Sequence, residues 1–409
     1  MRTLEIGYWV FIASLSIPFQ WIDYWRVGGL PGFNVVYVMF LLTATTVGFR
    51  KLLRPDVITV IGFIGFLTLN GLVNARESFW STKFFFTDLA YVSALIAGRI
   101  ITQQFGALES AKLFSKTYVA ATVALTTLGL MIRFNFISTT GATGRAFDPA
   151  QYSVHYLVLA TMPFALYKYR NNARFYVYLL IGTLSCLEFS ISSGTRSALI
   201  ATIVVAVGCA VAKTIRGLIG GLSAVTLAVV ISIIVGNIDI GRSLSAIGVV
   251  GERLQSESLV GDSRITELEA MLDQLQGNYL IGKGMGAGFL SPIIVVSEQE
   301  DRGIAPHIGI LTWLLKGGVF AQVCFLVWLV ILVKKTFATK PFAVWLSLPV
   351  LHYTLIAGLS GGYGYVPFFV LGAAWGLATL RAQGHTAHSR NKHYAPSPES
   401  HVCLAPAAR

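Results

Sequence analysis

The sequence predicts an all-α integral membrane protein of about twelve transmembrane helices with one long extracytoplasmic loop. Three observations carry this reading. Apolar residues make up 55% of the 409 positions and charged residues only 12%. The mean hydropathy is +0.67, outside the range of a soluble chain of this size. The basic residues behind the net charge of +12 come in short clusters between apolar runs. That pattern orients membrane helices, and nucleic acid is not expected as a partner.

Apolar runs long enough to cross a bilayer stand at 6–22, 33–49, 57–74, 84–100, 113–134, 151–167, 175–191, 197–212, 217–236, 307–333, 341–357 and 366–381. The first lacks a small-residue cleavage site behind it and is read as a span, not a removed signal. Lys and Arg gather in the connections FRKLLRP, KYRNNAR, AKTIR and KKTFATK and in the RAQGHTAHSRNK tail, so these five lie on the cytoplasmic side. The expected organisation is a membrane domain over 1–381 with both termini inside, a large outward loop at 237–306 within it, and a disordered cytoplasmic tail at 382–409. Cys186, Cys209 and Cys324 fall in apolar runs and Cys403 in the tail, so no disulfide framework is implied.

The outward connections favour arginine, with Arg26, Arg76, Arg133, Arg145, Arg196, Arg242, Arg253, Arg264 and Arg302 against Lys83, Lys283 and Lys316. A guanidinium is permanently charged and holds two phosphate oxygens in a planar fork, which suits a diphosphate at a membrane surface. Pairing with outward acids such as Glu252, Glu257 and Asp262, or snorkelling to headgroups, is the simpler use of any one of them. Arg196 differs because SISSGTRSALIATIVV sets it between two apolar runs, where a charge must face a cavity or a partner. Glu188 on the preceding span is the candidate partner; a bound anion is the other reading.

Within the outward loop, DSRITELEAMLDQLQGN places Ile265, Leu268, Met271, Leu272 and Leu275 at helical spacing, with Asp262 or Ser263 as N-cap and Gly277 as stop. An amphipathic helix at the membrane face is expected. Arg264 stands in its first turn, where a cation opposes the helix dipole unless an anion is shared with the free N–H groups. Pairing with Glu267 is the alternative. The following YLIGKGMGAGF lacks the order of a nucleotide loop, and its glycines are expected to bring backbone close to another segment as the chain returns to the membrane.

APHIGILTWLLKGGVFAQ then puts His307 behind Pro306 at the outward mouth of an apolar helix, where an imidazole is able to deprotonate a hydroxyl. His155 and His352 lie within other spans as further candidates, and His385 with His388 reads as part of a solvated tail. No DxD-like pair accompanies these residues, and the run EQED at 298–301 reads as solvated loop, so no metal and no cofactor is expected.

The order GRAFDPAQYSVHYLVLATMPFAL, SSGTRSALIA, a long outward loop with LIGKGMGAGF, and PHIGILTWLLKGGVF resembles the O-antigen ligase and polymerase superfamily over about residues 144–320. The chain departs from that pattern at Ala150 and Gln151, near a usual Asn, and at Ile308, where an Asn commonly follows the histidine. The resemblance implies a GT-C-like membrane glycosyltransferase of the bacterial inner membrane with its active site facing the periplasm. It implies an undecaprenyl-diphosphate-linked saccharide as donor, and lipid A core or a second lipid-linked repeat as glycan acceptor. It implies His307, Arg264 and Arg196 as catalytic residues, with Arg196, Arg264 and, as an added ligand, Arg145 binding the diphosphate. The rival reading is a transporter or flippase of lipid-linked saccharide, although no internal repeat is evident.

Overall fold

The computed structural model describes residues 2–18, 21, 26–27, 30–75, 80–137, 149–193, 195–212, 263–288, 309–338, 343–359 and 363–393. Among them the regular structure is helical apart from a strand pair, β1 (Arg26–Val27) against β2 (Leu30–Pro31), and an isolated Trp80–Ala287 bridge. The helices are α1 (Arg2–Ser14), α2 (Gly32–Val47), the short α3 (Phe49–Leu52), α4 (Pro55–Val73) and α5 (Thr82–Arg133). They continue as α6 (Pro149–Lys168), α7 (Arg174–Ser192), α8 (Arg196–Val211) and α9 (Ser263–Gln274), then α10 (Thr312–Phe337), α11 (Ala343–Leu355) and α12 (Tyr365–His393).

Each apolar run read from the sequence overlaps a described helix except 217–236, which lies outside the described residues; within the run at 6–22, α1 ends at Ser14. Among the described residues, four helical stretches are long and apolar enough to cross a membrane: Pro55–Val73, Phe84–Arg133, Arg174–Ser192 and Gly309–Phe337. The second holds two of the expected runs, because α5 turns at Gly106, whose φ of 75° is left-handed. Local chemistry fixes the ends. Pro55 enters α4 at its first turn, where its missing N–H costs nothing, and Asp56 there complements the helix dipole.

Large apolar side chains face outward along the bundle, among them Met39, Leu42, Leu69, Val123, Val177 and Phe320. Such a surface is stable against hydrocarbon and not against water. Inside, small residues bring helices together, as they do where no hydrophobic force acts between spans. A Cβ added at Gly98 would collide with the Phe369 carbonyl, and one at Gly372 with the Leu95 carbonyl, so α5 and α12 meet backbone to backbone. Hydroxyl pairs add direction: Tyr8 with Thr117 at 2.6 Å, Tyr37 with Ser93 at 2.8 Å and Thr126 with Ser185 at 2.9 Å.

Arg99 lies within this α5–α12 seam. It is fully buried, with its guanidinium 3.8 Å from the centre of the Trp375 ring, paired with Asp56 and donating to Thr379 Oγ1 at 3.2 Å. A planar cation suits both contacts, stacking on the indole while its edge meets a carboxylate.

Candidate functional site

Arg196 and Arg264 each stand in the first turn of a helix, α8 and α9, as the sequence places them; the backbone of both is described and their side chains are not. Arg145 and His307 lie outside the described residues, as does EQED. Around Arg196, the Ser190, Ser192 and Ser193 hydroxyls return to carbonyls of α7, and Ser193 Oγ also donates to Thr195 Oγ1 at 2.9 Å. Thr195 precedes α8 in an extended conformation and makes no side-chain cap to it. The first N–H groups of α8 are therefore not capped by that hydroxyl. Glu188 lies on α7 against Gly129, with Arg133 as a charge acting on it.

The amphipathic helix forms where its periodicity puts it, and Gly277 beyond its end takes a left-handed φ of 84°. Its apolar face has a protein partner. Met271 and Leu275 are buried with Leu315, and Leu268, Leu311 and Leu314 pack around them. The helix carrying Arg264 is thus docked on the start of α10, the helix that follows position 307. Truncating one of these side chains to Ala would cost about 2–5 kcal/mol of that docking.

The glycine-rich return 279–288 makes the most extensive polar contacts described in this part of the molecule. Gly318 breaks α10 with a φ of 65° and a ψ of −165°, which frees backbone groups on both sides. The return supplies their partners. Val319 N–H donates to Tyr279 O at 2.8 Å and Phe320 N–H to Leu280 O at 3.2 Å. In the opposite sense, Lys283 N–H reaches Leu315 O at 2.9 Å and Gly284 N–H reaches Lys316 O at 2.7 Å. Irregular backbone at membrane depth is stable only when its polar groups are satisfied within the protein. Here a broken helix and a loop satisfy each other.

Helices α4 and α5 clamp the other side of the return. Met285 N–H donates to Leu67 O at 3.1 Å, and Asn70 Nδ2 donates to Ile281 O at 2.7 Å and to Gly282 O at 3.2 Å. Trp80 Nε1 donates to Met285 O at 2.9 Å and Ser81 N–H to Gly286 O at 3.0 Å. Side chains would prevent this approach, since a Cβ at Gly284 would strike the Gly71 backbone and one at Gly71 the Met285 carbonyl. The expectation that these glycines serve close backbone approach is met.

A buried ion pair closes the arrangement. Lys316 Nζ lies 2.6 Å from Asp88 Oδ2, with the side chains 3% and 6% exposed. Asp88 Oδ2 also accepts the Gly286 N–H at 2.8 Å, and Lys316 donates to the Ala287 carbonyl. Tyr363, in the turn before α12, hydrogen bonds to Asp88; burial first, then the Asp88 charge and this bond, raise its phenol well above the ordinary range. Removing one partner of such a pair strands the other charge and costs about 3–5 kcal/mol. Asp88 and Lys316 were not among the expected site residues. The signal that singled out Arg196, a charge inside an apolar run, applies equally to TDLAY and WLLKGG.

The two membrane histidines are core residues in this structure. His155 Nε2 lies 3.2 Å from Thr202 Oγ1, which ties α6 to α8, and its ring packs on Phe189. His352 packs on Tyr156 with ring centres 4.7 Å apart. Among the described residues no three His, Cys, Asp or Glu side chains are grouped to hold a metal ion. Compared with models of known protein families and with curated proteins, the chain finds no match.

Proposed function

We propose that the chain is a GT-C-like glycosyltransferase of about twelve spans in the bacterial inner membrane, acting at the periplasmic face. Its donor is an undecaprenyl-diphosphate-linked saccharide, and its acceptor is a hydroxyl on lipid A core or on a second lipid-linked repeat, which makes it a ligase or a polymerase. The observation that supports this reading best is the docking of the Arg264 helix on the start of α10, because it ties the loop arginine to the helix that follows His307. Arg196 and Arg264, both in first turns, are then two cations beside two sets of helix N–H groups, a combination that favours a bound diphosphate.

In the proposed reaction His307 takes the proton of the acceptor hydroxyl. The acceptor oxygen attacks the anomeric carbon in line, and the bond from that carbon to the diphosphate oxygen breaks, which inverts the configuration. The electron pair leaves with undecaprenyl diphosphate, whose growing charge Arg196 and Arg264 stabilise, with Arg145 as a further ligand. Each arginine contributes about 10²–10³-fold and the histidine about 10²–10⁴-fold. No metal takes part.

The test is saccharide transfer from purified lipid-linked donor by the protein in detergent containing EDTA. Wild type transfers, and Arg196→Ala, Arg264→Ala and His307→Ala each lose transfer by those factors. Loss of wild-type transfer in EDTA alone would refute metal independence. One feature favours a flippase instead: α10 is broken beside an ion pair within the bundle, as transporter helices often are. Proteoliposomes that move the lipid-linked saccharide across the bilayer without joining it to any acceptor would establish that reading.

A further inference from the structure

We propose that Asp88 and Lys316 are positioning residues: their ion pair latches the 279–288 return against α5 and α10, and the latch holds the helix that carries Arg264 in its working position. This rests on the glycosyltransferase reading for its consequence in activity, but the latch itself is a statement about the loop. Three facts carry it. Lys316 and Asp88 reach the return at adjacent residues, through the Ala287 carbonyl and the Gly286 N–H, so one ion pair fixes both polar groups of a single turn. Lys316 belongs to the same short segment of α10, Thr312 to Gly317, whose Leu315 receives Met271 and Leu275 of the loop helix. The return follows that helix after a few residues, so the loop helix is anchored at its apolar face and at its C-terminal exit, and both anchors converge on that segment.

Lys316 is not a spare ligand for substrate phosphate, because its ammonium is committed to Asp88 and to a backbone carbonyl. Its role is therefore carried by geometry, and a covalent link that reproduces the geometry should replace it. The structure offers such a link. Trp80 and Ala287 form an antiparallel bridge in which Ser81 N–H donates to Gly286 O, the non-hydrogen-bonded type of pair. Such partners stand about 4.5 Å apart at Cα, which accommodates a disulfide.

The experiment begins with Lys316→Met, then adds Trp80→Cys and Ala287→Cys in a background with Cys324→Ser and Cys403→Ser. Transfer from undecaprenyl-diphosphate-linked saccharide is measured with the pair reduced and oxidised. Hydrogen exchange of residues 263–288 is followed in parallel. The latch predicts that Lys316→Met lowers kcat by about 10²-fold, the effect of misplacing one transition-state ligand. It predicts faster exchange at Lys283–Gly286 and in the loop helix, and recovery of both transfer and protection on oxidation of the same protein. Undiminished transfer by Lys316→Met, or a disulfide that restores protection without transfer, would overturn the positioning role. A wild type without transfer refutes the glycosyltransferase reading and leaves exchange to decide the latch: unchanged protection in Lys316→Met contradicts it, and lost protection supports it.

Discussion

At the scale of single residues, the chemistry rests on where a cation is placed and what it is paired with. Arg99 is buried with partners from neighbouring helices, a ring from Trp375, a carboxylate from Asp56 and a hydroxyl from Thr379. Arg196 and Arg264 instead begin helices, where the dipole opposes a positive side chain by about 0.3–1 kcal/mol, an opposition that a bound anion would relieve. On the proposed diphosphate role Arg264→Lys is not conservative: the charge remains, but the planar fork able to hold two phosphate oxygens is lost. Initial rates at saturating donor should fall about tenfold for Arg264→Lys and about 10²–10³-fold for Arg264→Ala. Equal rates for Arg264→Lys and wild type would show that a point charge suffices. Arg196 and Arg264 are legible in the sequence because each breaks a local rule. Asp88 and Lys316 break the same rule, but their partnership joins α5 to α10, and no local pattern encodes a pair so distant in sequence.

At the scale of elements, the amphipathic helix was legible down to its stop at Gly277, since period and capping are local properties. What covers its apolar face was not, because a stripe of Leu268, Met271 and Leu275 fits a membrane surface and a helix equally well; here it packs on α10. The break in α10 was likewise hidden within an apolar run. It is stable only because the return supplies acceptors and donors in kind. Gly284 is the sharpest test of that fit, for it combines a φ of 81° with no room for a Cβ beside Gly71. Gly284→Ala should lower the thermal midpoint in detergent by an amount corresponding to more than about 1–2 kcal/mol, the left-handed cost alone. Gly62→Ala, in an ordinary helical turn of α4 with nothing within 4 Å of the added carbon, should raise or preserve it. A Gly284→Ala protein as stable as Gly62→Ala would contradict the close approach.

At the scale of the whole molecule, composition and charge pattern were enough for a nearly all-helical chain with membrane-length helices among the described residues, although α9 lies in the loop and α12 runs beyond its apolar run to His393. The assembly of those helices was not legible. Gly98 and Gly372 read as ordinary residues of two spans until α5 and α12 are seen to meet there. The basic connections predict the sidedness: on the proposed orientation α3, with Arg50 and Lys51, lies on the cytoplasmic side and the 237–306 loop faces outward. A membrane-impermeant maleimide applied to intact cells lacking other reactive thiols should label Ser256→Cys and spare Arg50→Cys; inverted vesicles should reverse the result. Labelling of both from the same side would refute the orientation.

The central claim is that Arg196, Arg264 and His307 converge on one lipid diphosphate at the outward mouth. A cryo-electron microscopy structure with undecaprenyl diphosphate bound tests it most directly. The account predicts both guanidinium groups within about 2.7–2.9 Å of phosphate oxygens, with the His307 imidazole on the side from which an acceptor hydroxyl approaches. A diphosphate held elsewhere, with either arginine turned to a carboxylate and His307 remote from it, would contradict the account.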